Sequence, residues 1–283
     1  MNPRRSLVLV IVLIMLAGLP VYTLISWRTS PVLPPMPGAL ESGIISVNGI
    51  KMYYAIYGHG APILLIHGGL NNANVWLPEI PPLAANHEVI VADSRGHGRS
   101  TWTHEALSYD QMSSDYLGLL DHLKLDKVAL VGWSDGGIIG LDIAIHHPER
   151  LTALFAQAAN ANPDGLLRHP THNSAIATAG HIVWSAIKSV FTTLGGYRDL
   201  RGAVAEMWAT QPNFSEAQLA SIRVRTAIVI GDHDDVIRRD HTDYLARTIP
   251  GAELIILPGV GHMAPIEDPS AYVGAVRSFV DQR

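Results

Sequence analysis

The sequence predicts an α/β fold, with a mostly parallel eight-stranded sheet and helices on both of its faces. Four short runs are continuously apolar, as strands covered on both faces require; they span residues 63–66, 89–91, 128–131 and 227–230. Amphipathic segments with helical spacing separate such runs, and this alternation favours parallel pairing. In sheets of this kind the chemistry collects beyond the carboxyl ends of the strands.

Eight strands are expected in chain order. They are Ile44–Val47, Met52–Tyr57, Ile63–Ile66, Glu88–Ala92, Val128–Val131, Leu154–Ala158, Ala227–Ile230 and Glu253–Leu257. Asn48-Gly49 is a two-residue turn signal, so the first two strands should form an antiparallel hairpin. The spacing of apolar residues predicts helices at Tyr109–Leu123, Gly137–His146, Arg239–Thr248 and Pro269–Val280.

Two segments stand apart from this pattern. Four prolines between residues 29 and 42 predict an extended linker that leads into a domain at residues 43–283. The alternation stops at residues 160–211, which hold several glycines and helix-like stretches such as Ile182–Phe191. We interpret this interval as an inserted cap that shapes a pocket over the sheet. An elongated loop and helix pair that only packs is the alternative.

Composition excludes several classes of protein. The 283 residues fit one large domain, and 48% hydrophobic residues supply a sizeable core. A net charge of −5 without a basic stripe argues against a nucleic-acid partner. The absence of cysteine removes disulfides, thiolate metal sites and a cysteine nucleophile. Any nucleophile must therefore be an oxygen or an amine.

The N-terminal segment predicts a membrane anchor within residues 1–28. Residues 7–27 carry no formal charge, and at ~1.5 Å per residue they make a helix of ~31 Å, close to the thickness of a hydrocarbon core. Because Arg4 and Arg5 outnumber Arg28, the positive-inside rule places the domain outside the cytoplasm. A cleaved signal peptide, which would leave a secreted or periplasmic protein, is the alternative.

A serine between glycines is the strongest chemical signal. Gly132-Trp133-Ser134-Asp135-Gly136-Gly137 directly follows one apolar run and opens a helical segment. A serine on such a sharp turn adopts strained backbone geometry, and the glycines two residues before and after it leave room for the neighbouring strand and helix. The turn lifts the hydroxyl above the sheet. Ser134 is therefore the candidate nucleophile.

A serine hydroxyl needs a base, and a neutral imidazole is the usual one. Of the 14 histidines, His67 and His262 follow the ends of predicted strands. The imidazole in turn needs a carboxylate that fixes its tautomer. The segment after the strand at 227–230 offers three, Asp232, Asp234 and Asp235. The chain order Ser, Asp, His is typical of one particular fold.

These motifs together resemble the α/β-hydrolase family over residues 43–283, and especially its esterase-like serine hydrolases. The resemblance rests on His67-Gly68-Gly69, Asp93–Ser100, Gly132–Gly136, the Gly231-x-x-Asp234 turn and Gly261-His262. It implies the α/β-hydrolase fold with a nucleophile elbow at Ser134. It also implies a serine hydrolase similar to amino-acid-ester and enol-lactone hydrolases.

Roles for individual residues follow from the resemblance. It implies that Ser134 is the nucleophile, His262 the general base and then acid, and Asp234 the residue that orients His262. The backbone N–H groups of Gly69 and Asp135 would form the oxyanion hole. By the same resemblance His67, Asp93 and Arg95 belong to the scaffold.

Two neighbours of Ser134 are candidate substrate-binding residues. Asp135 departs from the apolar or amide residues often found after the nucleophile in this family. Its carboxylate either caps the following helix or attracts a substrate ammonium or hydroxyl group. Trp133 is a candidate for the pocket wall, as are Trp184 and Trp208, although core packing explains an indole equally well.

No metal or cofactor is predicted. The pairs His146-His147 and His169/His172 lack a metalloprotease helix and a cysteine partner. The acidic segment 232–235 lacks the spacing of a calcium loop. No Gly-x-Gly-x-x-Gly motif indicates a nucleotide.

The sequence thus predicts a serine hydrolase that cleaves carboxylic esters or lactones of small molecules through an acyl-enzyme. Carbon–carbon bond hydrolysis and cofactor-free perhydrolysis use the same three residues and remain alternatives. A catalytically silent, membrane-tethered binding protein on the same fold is an alternative from another class.

Overall fold

The computed structural model describes residues 33–167 and 200–282. The chain divides into two units, Met1–Pro35 and Met36–Arg283, and the sheet and its helices belong to the larger one. Within the described ranges no helix is long and apolar enough to cross a bilayer. The proposed anchor at residues 7–27 lies outside these ranges and stays a prediction, as does the helix at Ile182–Phe191.

Eight strands form one sheet, as predicted. They are β1 Glu41–Val47, β2 Ile50–Tyr57, β3 Ala61–Ile66, β4 His87–Ala92, β5 Val128–Trp133, β6 Leu151–Gln157, β7 Thr226–Gly231 and β8 Glu253–Leu257. Their order is β1-β2-β4-β3-β5-β6-β7-β8. The β1–β2 and β2–β4 pairs are antiparallel and the others are parallel. The mostly parallel α/β architecture is therefore confirmed.

The first hairpin lies where the sequence places it, although the folded unit starts earlier than residue 43. Asn48 and Gly49 have φ angles of 43° and 79°, as a tight hairpin turn between twisted strands requires. Strand β1 begins at Glu41. Met36 is buried, and its backbone N–H donates to the Tyr53 hydroxyl at 2.8 Å. Residues 36–42 of the expected linker thus belong to the fold.

The described helices are α1 Ile80–Ala84, α2 Tyr109–His122, α3 Asp135–His146, α4 Leu200–Thr210, α5 Glu216–Ser221, α6 Arg239–Thr248, α7 Ala264–Glu267 and α8 Pro269–Val280. Four of them, α2, α3, α6 and α8, show clear apolar periodicity in the sequence, and each matches its predicted segment within two residues at each end. Capping fixes two of their starts, since the Ser108 side chain accepts from Gln111 N–H and Asp268 accepts from Ala271 N–H. Helices α1, α5 and α7 have four to six residues, too few to show a period.

Both faces of the sheet are covered. Alternate residues of β5 point to opposite sides, because Val128 and Leu130 pack with residues of α2 and α3, whereas Ala129 and Val131 pack with residues of α8. All six residues of β5 are buried. This strand is therefore held from both sides, and the residue that follows it, Ser134, has a fixed position.

Candidate active site

Ser134 forms the turn between β5 and α3. Its backbone adopts φ 55° and ψ −117°, a left-handed conformation that is costly for a residue with a Cβ. Hydrogen bonds hold it, because Ser134 N–H donates to the Gln157 oxygen at 2.8 Å and Ile138 N–H donates to the Ser134 oxygen at 3.0 Å. The strained turn directs the Ser134 side chain away from the two elements it joins.

The glycines around Ser134 are required by close packing. A Cβ at Gly132 would lie 2.2 Å from the oxygen of Gly136. A Cβ at Gly136 would lie 2.1 Å from the oxygen of Ile66, the last residue of β3. No heavy atoms pack at such distances, so only glycine lets α3 begin this close to β5 and β3.

The structure brings the three residues Ser134, His262 and Asp234 together. His262 Nε2 lies 3.1 Å from Ser134 Oγ, and His262 Nδ1 lies 3.2 and 3.1 Å from the two carboxylate oxygens of Asp234. Each distance is within reach of a hydrogen bond between a nucleophile, its base and the group that orients the base.

Of the three candidate carboxylates, Asp234 is the one at His262. Its side chain is 1% exposed, and its Oδ1 also accepts from the backbone N–H groups of Val236 and Ile237 at 2.9 and 2.8 Å. Asp232 instead accepts from Gly259 N–H at 2.8 Å. The backbone donors fix the rotamer of Asp234, so its carboxylate is already oriented toward Nδ1 of His262.

The loop after β3 passes next to the nucleophile. A Cβ at Gly68 would lie 3.2 Å from the Ser134 Cβ, and one at Gly69 would lie 2.4 Å from Oδ2 of Asp135. The two segments that carry the proposed oxyanion donors, Gly69 and Asp135, therefore run side by side. Because Gly69 has no side chain, its backbone can lie this close to the Asp135 carboxylate.

His67 belongs to the support of this loop. It is 1% exposed, and burial lowers its pKa, so the ring is neutral. Its Nε2 accepts from Ser94 N–H at 3.0 Å, which makes Nδ1 the donor to the Gly68 oxygen at 2.7 Å. Both ring nitrogens are thus committed to backbone groups, as expected of a scaffold residue.

Asp93 and Arg95 are likewise engaged away from Ser134. Asp93 is fully buried and accepts from Ala73 N–H, Arg99 N–H and the Arg99 guanidinium at 2.7, 2.7 and 3.0 Å. Arg95 makes a bidentate pair with Asp115 at 2.9 and 2.7 Å. These ion pairs fasten the loops that follow β4, which agrees with the scaffold role.

A cavity of about 370 Å³ opens above Ser134 and His262. The size is that of a small-molecule site. Its wall is largely apolar and includes Leu166, Leu167, Val236, Ile237, Met263 and Trp208. Leu166, Leu167 and Trp208 come from the described parts of the predicted insertion at 160–211. The side chains of Ser134 and His262 therefore face a largely apolar space.

Asp135 points into this cavity wall and is 5% exposed. Its Oδ1 accepts from the Tyr109 hydroxyl at 2.9 Å and from the Trp208 indole N–H at 2.8 Å. Burial raises the pKa of Asp135 to about 6, although these two hydrogen bonds act in the opposite direction. The hydrogen bonds of the carboxylate are thus to side chains of the pocket and not to the backbone of α3, against the capping interpretation.

Trp133 has a second engagement besides the pocket wall. It is 2% exposed, and its indole N–H donates to the backbone oxygen of His262 at 2.8 Å. Its ring centroid lies 6.1 Å from that of His262. Trp133 thus borders the cavity, as expected of a pocket-wall residue, while its polar group binds the segment around His262.

Four further residues that no sequence motif predicts lie at or next to the site, namely Tyr109, Gln157, Asn160 and Gln211. None of them belongs to a local motif; Tyr109 is only the first residue of a capped helix. Among residues 33–167 and 200–282, no cluster of three or more histidines or acidic residues could hold a metal ion. His169, His172 and Trp184 lie outside those ranges.

Comparison with known proteins agrees with this geometry. A model of the alpha/beta hydrolase family matches residues 63–275, about three quarters of the chain. The enol-lactonase of Burkholderia xenovorans LB400 superposes with a TM-score of 0.68 at 22% identity, covering 85% of this chain and 100% of that one. Est816, described as an N-acyl homoserine lactone degrading enzyme, gives a TM-score of 0.69 at 27% identity, with 84% and 100% covered.

Two curated relatives match over shorter parts of their length. One from Azorhizobium caulinodans, named as a carbamate hydrolase, RutD, is 39% identical over 117 residues, which are 41% of this chain and 44% of the relative. The acetyltransferase component of the acetoin cleaving system of Pseudomonas putida is 29% identical over 230 residues, 74% of this chain and 60% of the relative. The chain spans less than two thirds of either. From the extent of the family match together with its fold, the chain belongs to the alpha/beta hydrolase family.

Proposed function

We propose that this protein is a serine hydrolase that cleaves carboxylic esters or lactones of small molecules through an acyl-enzyme. The observation that carries the proposal is the 3.1 Å contact between His262 Nε2 and Ser134 Oγ at the floor of a largely apolar cavity. A serine hydroxyl beside an imidazole that is itself held by a buried carboxylate is the arrangement that activates an oxygen nucleophile.

In the first half of the reaction, Ser134 Oγ attacks the substrate carbonyl while Nε2 of His262 takes the hydroxyl proton. The negative charge on the carbonyl oxygen is stabilised by the backbone N–H groups of Gly69 and Asp135. Asp234 stabilises the imidazolium through Nδ1. The imidazolium then gives its proton to the leaving alkoxide, and the acyl group stays on Ser134.

In the second half, water attacks the acyl-enzyme with His262 as the base, and the acid product leaves with Ser134 restored. Esters and lactones suit this site because an alkoxide leaves with less help than an amine or a carbanion. The likeness to Est816, at 27% identity, supports a lactone or ester over other acyl compounds.

The test is covalent labelling with a fluorescent phosphonate together with a substrate panel. We expect the wild-type protein to be labelled and to hydrolyse p-nitrophenyl esters or lactones, and Ser134→Ala to do neither. Labelling of Ser134→Ala would contradict the assignment of the nucleophile. A protein that is folded but neither labelled nor active would instead favour the catalytically silent binder, and turnover limited to carbon–carbon bonds or peracids would favour those alternatives.

Asp135 gives a prediction about substrate class. Its Oδ1 is occupied by Tyr109 and Trp208, whereas Oδ2 lies beside Gly69 next to the nucleophile. We propose that this carboxylate attracts a substrate ammonium group. Asp135→Asn keeps the shape and removes the charge, so kcat/KM for amino-acid esters should fall about tenfold or more, while that for simple acyl esters changes little.

The pH dependence follows the same charge. With a pKa of about 6, Asp135 is ionised above that pH and neutral below it, so the preference for amino-acid esters over acyl esters should decline as the pH falls through 6. Measuring both substrates at pH 5 and 7, where the substrate amine stays largely protonated, checks this. An equal loss on both substrates in Asp135→Asn would refute the proposed charge recognition.

A further inference from the structure

Gln157 joins the two loops that carry Ser134 and His262. It is the last residue of β6 and is fully buried. Its backbone oxygen accepts from Ser134 N–H at 2.8 Å, and its side-chain Nε2 donates to the backbone oxygen of His262 at 3.3 Å. A single residue therefore contacts the backbone of both proposed catalytic residues.

A second donor reaches the same carbonyl. Trp133 pairs with Gln157 across the β5–β6 ladder, and its indole N–H lies 2.8 Å from the His262 oxygen. The two donors leave adjacent strands and converge on one acceptor. All six residues of β5 and residues 153–157 of β6 are buried, so this pair of donors holds a fixed position against the histidine loop, the segment around His262.

Other polar groups of the histidine loop are bound by carboxylates. Glu267 accepts from the N–H groups that flank His262, those of Gly261 and Met263, at 2.7 and 3.2 Å. Asp234 holds the ring. Glu267 is exposed, so water can replace its carboxylate, whereas both donors at the His262 carbonyl belong to buried side chains.

Gln157 keeps a polar atom at a cost in stability. Its Oε1 is buried and accepts no hydrogen bond within the described ranges. A buried oxygen without a donor destabilises the fold, and an apolar side chain of the same length avoids that loss. Gln157 does not line the cavity, so a substrate contact does not explain the amide. Its one well-placed group is the Nε2 donor to His262.

We propose that Gln157, with Trp133, is a positioning residue that sets the distance between His262 Nε2 and Ser134 Oγ. The amide fixes the His262 backbone relative to the strand that also anchors Ser134 N–H. The inference rests on the proposed serine hydrolase function. Loss of either donor lets the histidine loop shift, and small shifts of a base from its nucleophile reduce the rate of the chemical step.

The experiment compares Gln157→Met and Trp133→Phe with the wild type, using p-nitrophenyl esters and phosphonate labelling at saturating probe. Both changes remove a donor and keep an apolar body. We expect kcat and the labelling rate constant to fall about 10- to 100-fold, with KM within about twofold. The Tm of Gln157→Met should stay the same or rise, because the unpaired Oε1 is gone.

Thr226→Val is the matched control. Thr226 is buried at the amino end of β7, where its hydroxyl donates to the Val224 oxygen at 2.8 Å. The variant loses a buried hydrogen bond away from the site, so its Tm should fall while kcat is unchanged.

The outcomes separate the two proposals. If Gln157→Met and Trp133→Phe keep wild-type kcat while Ser134→Ala is inactive, the positioning role is overturned and the hydrolase function stands. If Ser134→Ala retains activity, the proposed function itself fails. Should Gln157→Met not fold, Trp133→Phe decides, since it retains an aromatic ring at that site.

Discussion

Replacing His262 with alanine is expected to lower kcat for a p-nitrophenyl ester by on the order of 10⁴-fold or more. Without the imidazole, the Ser134 hydroxyl has no base at 3.1 Å, and the leaving alkoxide has no acid. The residual rate would come from the oxyanion donors and from substrate binding alone. Some stability should also be lost, because only 12% of the His262 side chain is exposed and its ring contacts the buried Asp234 carboxylate.

The matched control is His146→Ala. His146 lies at the far end of α3 with 44% of its side chain exposed, and its ring contacts the Asp142 oxygen and carboxylate. This variant should keep wild-type kcat. Steady-state kinetics and a thermal unfolding curve for each protein check the prediction, and a His262→Ala enzyme within tenfold of the wild type would show that another group is the base.

The second large effect is on folding. Gly136→Ala is expected to remove more than about 4 kcal/mol of unfolding free energy, or to prevent folding, because the new methyl group would lie 2.1 Å from the Ile66 carbonyl oxygen. Neither backbone segment can move easily to relieve this contact, since Ile66 ends a strand buried on both faces and Gly136 lies in the first turn of α3. Denaturant unfolding of the purified variant measures the loss.

Gly274→Ala serves as its control. Gly274 lies within helix α8, and a Cβ there would meet no atom within 4 Å. The same methyl group should stabilise the protein by about 0.5–1 kcal/mol, because alanine loses less backbone freedom than glycine in a helix. Equal unfolding free energies for the two variants would contradict the packing argument at Gly136.

The sheet could be predicted because its central strands carry their own signal. Ile63–Ile66 and Val128–Val131 are apolar at every position, and the structure shows why, since alternate side chains enter cores on opposite faces. The start of β6 was harder to predict. Leu151–Ala153 contains an exposed threonine, so it interrupts the apolar run that begins at Leu154.

The nucleophile could be predicted because its geometry is local. Glycines two residues before and after Ser134 are needed for the turn and stand next to it in the chain. Contacts between residues that are distant in sequence have no comparable local pattern. Tyr109 and Trp208 meet at Asp135 from positions 26 and 73 residues away, and Gln157 meets His262 across 105 residues. No spacing rule connects them, because their contacts arise only when the sheet is assembled.

The loop order of the site has a consequence for biosynthesis. The groups that meet around Ser134 follow β3, β5, β7 and β8, and His262 comes 128 residues after Ser134 in the chain. A polypeptide still emerging from the ribosome therefore has a serine turn before it has a base to activate it. Under the proposed function, a nascent chain therefore cannot hydrolyse a substrate until all of β8 has been translated.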